Sequence, residues 1–325
     1  MRALWCSALS DDLSGVEVVS DAPEPQPGAD ELLIKIEAAA ANFPDLLMTR
    51  GEYQFKPPLP FAPGMEGSGT VLSAPAGSRF SEGDAVVFGA RFGAMAERIA
   101  VPEAAAAPRP AGMDAVQAAG YRVAFHTAYV GLCVRTQLRA GEVLLVHGAT
   151  GGVGMAAVDV GVHLGARVIA TGSNAEKLEV VRARGAEVIA CPDRVDFRER
   201  VLELTDSRGA DVIYDAVGGD WFDQSARCIA WAGRLLVIGF AGGRIPQIAA
   251  NIPLIKGFSV IGVRAGEHGR RVPEVAEATA RTVQEWAEAG WARVHVCGEL
   301  PLEQAREALR MLAARKVVGK VVVRP

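Results

Sequence analysis

The apolar positions of this chain follow two different rhythms. Over residues 1–122 they come in short runs, such as 32–37, 69–72 and 85–88, and prolines and glycines cut between them at close intervals, from Pro23, Pro25 and Pro27 to Pro108 and Pro110. That punctuation predicts a compact β-rich unit, barrel-like in character, whose turns set the strand lengths. Over residues 123–263 the runs are rich in Val and Ile and lack polar alternation: 143–147, 167–170, 187–190, 211–215 and 234–238. Strands buried on both faces of a parallel sheet read this way, and the helical segments between them make βαβ units. The remainder, 264–325, predicts helices over 272–289 and 302–314 and a last strand over 319–323 that returns to the first unit.

One turn in this pattern carries chemistry. Residues 144–154 read LLVHGATGGVG, an apolar strand, a glycine-rich turn and the start of an apolar helix. Gly151 and Gly152 allow the backbone to turn tightly against a pyrophosphate, Gly154 allows the helix to pack close to the sheet, and the helix start around Val153 aims its amides at the phosphates. The fold class is therefore α/β, with a Rossmann doubly wound parallel sheet. An NAD-specific site ends its second strand in an acid that binds the ribose hydroxyls, whereas this chain reads Thr171-Gly172-Ser173-Asn174-Ala175-Glu176-Lys177. Glu176 reads first as the partner of Ser173 in a capping box. Lys177 is either a solvated helix lysine or a cation for a 2′-phosphate.

The length, 325 residues, exceeds what one core usually serves, which agrees with two packed units. The formal net charge is -4, and no stretch concentrates Lys and Arg, which speaks against nucleic acid and anionic membrane surfaces as partners, and a small molecule or a second copy is expected. Five cysteines without a C-x-x-C pair argue against a disulfide framework and a structural zinc site; they read as buried apolar fillers, Cys228 most plainly. Acids near the N-terminus and the lack of a long apolar run predict a soluble, unexported, cytoplasmic protein. His147 ends a buried strand and reads as a hydrogen-bonded packing residue, and neither it nor His126 is expected to be catalytic.

Several segments in order along nearly the whole chain resemble the zinc-independent quinone oxidoreductase branch of the medium-chain dehydrogenase/reductase superfamily, the group that includes zeta-crystallin. They are ANFPDLLMTRGEY (41–53), PLPFAPGMEGSGTV (58–71), HTAY (126–129), HGATGGVGMAAV (147–158), YDAVGG (214–219), IGFAGG (238–243), NIPLIKGFSVIGVRAG (251–266) and the closing GKVVV. The resemblance implies a Rossmann domain (123–263) inserted in a GroES-like β-rich catalytic domain (1–122, with the return at 264–325) and an active site between domains. It implies NADPH as cofactor, a quinone or an α,β-unsaturated carbonyl compound as substrate, and a homodimer. Zinc-dependent relatives carry ligands where this chain has Ala41-Asn42-Phe43 and Gly64-Met65-Glu66, so no metal is expected.

The same resemblance places Asn42, Asp45, Tyr53, Thr127, Phe240, Asn251 and Arg264 around the nicotinamide and substrate. Asn42 and Tyr53 could donate hydrogen bonds to a carbonyl gaining charge as hydride arrives, with Arg264 assisting. For Tyr53 the alternative is an aromatic covering core, and for Asp45 it is a helix cap or salt bridge. Relatives often carry a tyrosine after the third strand, against the 2′-phosphate, where this chain has Cys191. The NADPH expectation then leans on Ser173, Lys177 and, four residues before Gly319, Arg315. The rival expectation is a non-catalytic NADPH-binding protein, crystallin-like or nucleic-acid-binding.

Overall fold

The computed structural model describes residues 1–192 and 195–325. The chain forms two units, Met1–Val123 with Gln284–Pro325, and Ala124–Val283. The second boundary lies beyond residue 263, where the strand pattern of the sequence ends. The helix Pro273–Glu288 contains no glycine or proline after its first residue, so nothing stops it at a domain edge, and the division falls inside it.

The first unit is built on a seven-stranded sheet. Its path runs Val296–Pro301, Lys320–Arg324, Glu31–Ala40, Glu66–Ser73, Ala85–Gly89 and Ala106–Pro108, and Arg98–Pro102 pairs with Glu31–Ala40. Along Glu31–Ala40 the side chains Leu32, Ile34 and Ile36 go inward while Leu33, Lys35 and Glu37 face the other way, the period of two that a pleated strand imposes. With Leu4, Leu46, Met48, Phe61, Phe88, Val321 and Val323 they form the main core of this unit. Each such side chain contributes roughly 1.5–3 kcal/mol by leaving water. The last strand lies antiparallel to Glu31–Ala40 with Val322 opposite Ala40 and Val323 opposite Ala39. Continued outward, that register brings Lys320 opposite Asn42, and the Ala41 amide donates to the Val321 carbonyl at 3.0 Å.

The second unit holds a six-stranded sheet in the order Glu187–Ala190, Arg167–Gly172, Val143–His147, Ala210–Asp215, Ile229–Val237 and Ser259–Gly262, every pair parallel. This is the Rossmann order, in which the chain reverses its direction of travel between Val143–His147 and Ala210–Asp215. Val143–His147 is buried throughout, as the unbroken apolar run predicts. Ser259–Gly262 is an edge strand, and Trp231, Leu254, Ile255 and Val260 are exposed apolar side chains on this strand and on the segments next to it in sheet and sequence. Among the described residues, no helix is long and apolar enough to cross a membrane.

Candidate functional site

In the second unit the glycine-rich turn is made of backbone. Gly148 leaves the strand Val143–His147 with φ 62°, a left-handed conformation that favours glycine, and its carbonyl accepts from the Gly151 amide at 3.0 Å. The helix Gly152–His163 follows, with Gly151 as its N-cap and no side chain capping its amides. The next helix, Ala175–Arg182, differs: the Asn174 side chain accepts from the Lys177 amide at 2.9 Å. The first amides of a helix have no intrahelical acceptor, so those of Gly152, Val153 and Gly154 remain available to an anion. A Cβ on Gly154 would collide with the Gly148 carbonyl oxygen and stand 2.8 Å from its carbon, so this position requires glycine.

Two neighbouring loops join this turn at the carboxyl ends of the strands. Asp215 is buried and its Oδ1 accepts from the Val217 and Gly218 amides at 2.8 and 2.9 Å, while burial pushes its carboxyl up to about 6. The Ile238, Ala241 and Gly242 amides donate to the carbonyls of Asp215, Ala216 and Val217, and the Phe240 ring packs beside Gly218. Loops meeting at the reversal of strand order form the place where doubly wound sheets bind nucleotides. Phe240 is half-buried there. Thr127 is half-buried on the helix Tyr121–Tyr129, and Asn251 is exposed at the start of Asn251–Lys256.

At the end of the second strand Ser173 is exposed and Lys177 half-buried. The cap expected of Ser173 is supplied by Asn174 instead, because Asn174 is the last extended residue before the helix. Glu176 thus falls in the first turn rather than at the capping-box position. Cys191 is buried, its amide bound to the Gly172 carbonyl at 2.8 Å. Arg315, in the first unit, is exposed with φ 54° just after the helix Ala305–Ala313.

His147 is wholly buried between Thr171 and Ser225, each hydroxyl 2.7 Å from a ring nitrogen. The Ser225 hydroxyl donates to the Trp221 carbonyl at 2.7 Å, so it accepts from His147 Nε2–H, and Nδ1 accepts from Thr171. Burial lowers the imidazole to about 3, which keeps it neutral. It is a packing residue, as its position at the end of a buried strand implies.

The first unit places a different construction around Asn42. Lys320 Nζ lies 2.5 Å from Asn42 Oδ1 and 2.8 Å from Glu66 Oε1, the Asn42 carboxamide nitrogen donates to Glu66 Oε1 at 3.1 Å and to the Ala40 carbonyl at 3.2 Å, and Glu66 Oε2 accepts from the Val123 amide at 2.8 Å. Lys320 is 2% exposed and Glu66 1%. The pair is therefore dry, and its charges are held by each other and by these hydrogen bonds. Both carboxamide hydrogens of Asn42 are spent inside the network, which corrects the expectation that Asn42 donates to a substrate carbonyl.

Asp45 is corrected in the same way. It sits in the first turn of the helix Phe43–Arg50, wholly buried; Oδ2 accepts from the Asn42 amide at 2.8 Å and Oδ1 from the Gly64 amide at 3.0 Å. Burial pushes its carboxyl up to about 7, against the pull of those two amides and of Lys320. The helix-cap alternative describes what it does. Tyr53 lies in the bend after this helix, half-buried and packed on the core, and Arg264 is exposed, 3.9 Å from a Glu267 that also pairs with Arg270 and Arg271.

Lys320 and Glu66 are the functional-looking residues that the sequence reading missed. The signal was a charged residue opening the apolar run Val321, Val322 and Val323. A further correction concerns thiols: Cys6, Cys191 and Cys228 are buried, but Cys133 is half-buried and Cys297 exposed, and all five are free. Among the described residues no three His, Cys, Asp or Glu side chains converge to hold a metal. The Lys320 ammonium places a positive charge between Asn42 and Glu66.

Two family models match the chain: residues 28–111 an alcohol dehydrogenase GroES-like domain, and residues 152–281 a zinc-binding dehydrogenase domain. A quinone oxidoreductase-like protein 2 homolog from Nematostella vectensis is 37% identical, covering 99% of this chain and 88% of the relative. A mycobacterial protein solved in complex with NADPH is 33% identical with a TM-score of 0.91, covering 100% of both chains. Escherichia coli quinone oxidoreductase, also complexed with NADPH, is 26% identical with a TM-score of 0.91 over 100% of both chains. Glycine turn, sheet order and chain-long identity agree: this chain belongs to the quinone oxidoreductase-like, zeta-crystallin branch of the medium-chain dehydrogenase/reductase superfamily.

Proposed function

We propose that this protein is an NADPH-dependent oxidoreductase that reduces a quinone or an α,β-unsaturated carbonyl compound without zinc. The observation that carries the reading is the uncapped helix start at Gly152 behind a turn that only glycine permits, beside a second strand that ends in Thr171, Gly172 and Ser173 with no carboxylate. Gly152, Val153 and Gly154 would hold the pyrophosphate, and Lys177 with Ser173 would meet a 2′-phosphate that an acid would repel. Bound NADPH supplies the hydride. Of the residues that the family resemblance puts near the substrate, Tyr53 or Arg264 would donate toward an oxygen that gains charge, and the proton comes from water.

Lys320, paired with Glu66, takes the place of a Lewis acid in the architecture without acting as one. Its ammonium is spent on internal partners and fixes the loop that precedes Phe43–Arg50. A homodimer through Ser259–Gly262 is part of the same proposal, since the exposed apolar side chains along this edge favour a partner that covers it. A monomer by light scattering at micromolar concentration would remove that element.

The test of the reaction is oxidation of NADPH and NADH with a panel of quinones and enones, in chelator. Turnover is expected, with NADPH favoured by about tenfold, the scale of one charge-assisted hydrogen bond, and Lys177→Ala should lower the NADPH efficiency while leaving NADH nearly unchanged. The preference should be weaker than in relatives that keep a tyrosine at Cys191. Absence of turnover with every acceptor would favour a non-catalytic NADPH-binding protein, and equal efficiency with both cofactors would overturn the cofactor reading.

A further inference from the structure

Most exposed arginines of the first unit have carboxylate partners: Arg2 meets Glu97 and Glu303, Arg79 meets Glu103, and Arg98 meets Glu24. Arg91 does not. Its guanidinium carbon lies 3.5 Å from the centroid of the Phe55 ring, and among the described residues it forms no hydrogen bond or ion pair. Phe55 is stacked on Phe92, with centroids 6.0 Å apart, and Phe92 meets the buried ring of Phe61 edge-on at 6.1 Å. A guanidinium stacked face-down on an aromatic ring keeps its in-plane N–H donors free at the edge. The stack holds the side chain in place, so little conformational freedom remains to be lost when an anion binds.

The position of this cation ties it to the candidate site. Gly93, Ala94 and Met95 donate their amides to the carbonyls of Ala62, Gly64 and Pro63, and the Gly64 amide in turn donates to Asp45. The segment that carries Arg91 is thereby fixed to the helix Phe43–Arg50. Phe55, which carries the guanidinium, follows Tyr53 by two residues, so their Cα atoms are at most about 7.6 Å apart. Tyr53, Phe55 and Phe92 all pack against the same core and are all half-buried, so the apolar rings and the guanidinium on Phe55 belong to one stretch of the unit's surface.

We propose that Arg91 is a specificity residue that binds an anionic group, a carboxylate or a phosphate, carried by the conjugated carbonyl substrate at a distance from its reacting bond. The inference rests on the reading of the chain as a quinone or enone reductase. The bond formed is an ion pair with hydrogen bonds from the guanidinium edge to two oxygens, a geometry that lysine cannot reproduce.

Three benzylideneacetones test it, carrying a para-carboxylate, a para-phosphate monoester or the para-carboxylic methyl ester, each measured for dissociation constant by fluorescence and for kcat/KM with NADPH. Arg91→Gln should weaken the two anions about tenfold in both measures and leave the ester within about twofold, with kcat unchanged, and Arg91→Lys should fall between. Phe55→Leu, which removes the platform and keeps the charge, should weaken the anions by a smaller factor. A greater loss for the phosphate than for the carboxylate assigns the group as phosphate, and the reverse assigns a carboxylate. An equal loss for ester and anions, or no loss in Arg91→Gln, overturns the proposal. If no probe is turned over but the anions still bind through Arg91, the reductase reading fails while the anion site stands.

Discussion

The glycine turn of the second unit and the Lys320 network of the first are both candidate functional centres, yet they are made of different material. The turn spans residues 148–154 and consists of backbone amides, glycine conformation and one close approach. The network draws Asn42, Glu66 and Lys320 from places as far apart as the two ends of the unit, buried side chains that use up one another's hydrogen bonds, with Asp45 beside them held by the Asn42 and Gly64 amides. A site made of backbone is open to a ligand where no side chain caps its amides. A site made of buried, mutually satisfied side chains is closed to one, and its value lies in what it holds still. The two should therefore fail differently: the network through stability, the turn through ligand affinity.

The largest effect is expected from Lys320→Met. It leaves the Glu66 carboxylate buried without its cation and should cost about 3–5 kcal/mol in a denaturant titration. Adding Glu66→Gln to Lys320→Met should recover part of that loss, because the unpaired charge disappears. A loss below about 1 kcal/mol in the single variant would show that water reaches the pair and that the network is not dry.

Sequence made the turn visible and hid the network for the same physical reason. Gly151, Gly152 and Gly154 lie within one short run of the chain, and their spacing is the feature itself, so the strand Val143–His147 and the helix Gly152–His163 fall within a residue of where the apolar pattern ends. Asn42 and Asp45 could be found by resemblance, but not what their atoms were bonded to. For Asn42 that depended on Lys320, which reaches it because Val322 pairs with Ala40 across strands nearly three hundred residues apart in sequence, and for Asp45 on the backbone amides of Asn42 and Gly64. The N-cap at Asn174 in place of Ser173 and the exposed Cys297 show the same limit, since one turns on a single residue of backbone conformation and the other on burial.

Two alanine substitutions sharpen the turn's side of the comparison. Gly154→Ala forces a Cβ against the Gly148 carbonyl, and the backbone must shift, at about 1–3 kcal/mol of stability and most of the NADPH affinity. Gly151→Ala is the control: its Cβ would stand 3.5 Å from the Gly148 oxygen, ordinary contact, and its φ of -85° suits any residue. It should change stability by less than about 0.5 kcal/mol, so any loss of NADPH binding in a fluorescence titration reports a ligand that approaches the backbone there. If Gly151→Ala binds NADPH as well as the wild type does, the phosphates lie elsewhere.

The smallest effect concerns pH and sets one buried group from each unit against the other. His147 is lowered to about 3 and Asp45 raised to about 7, because burial disfavours the charged form of each. The consequences for stability have opposite signs. Between about 6.5 and 3 the unfolded chain binds a proton on His147 that the native protein refuses, so this contribution is complete above 6.5 and is lost as the pH falls. Between about 4 and 7 the native protein keeps a proton on Asp45 that the unfolded chain releases, so this contribution is complete at low pH and is lost as the pH rises. Each slope has an upper limit of about 1.4 kcal/mol per pH unit. Wild type, His147→Gln and Asp45→Asn should be compared by denaturant titration at pH 7, 6 and 5. The deficit of His147→Gln relative to wild type should shrink toward pH 5, and that of Asp45→Asn should grow. Differences that stay constant across the three pH values would mean that neither group changes its proton affinity on folding, and that polar contacts alone account for their place in the core.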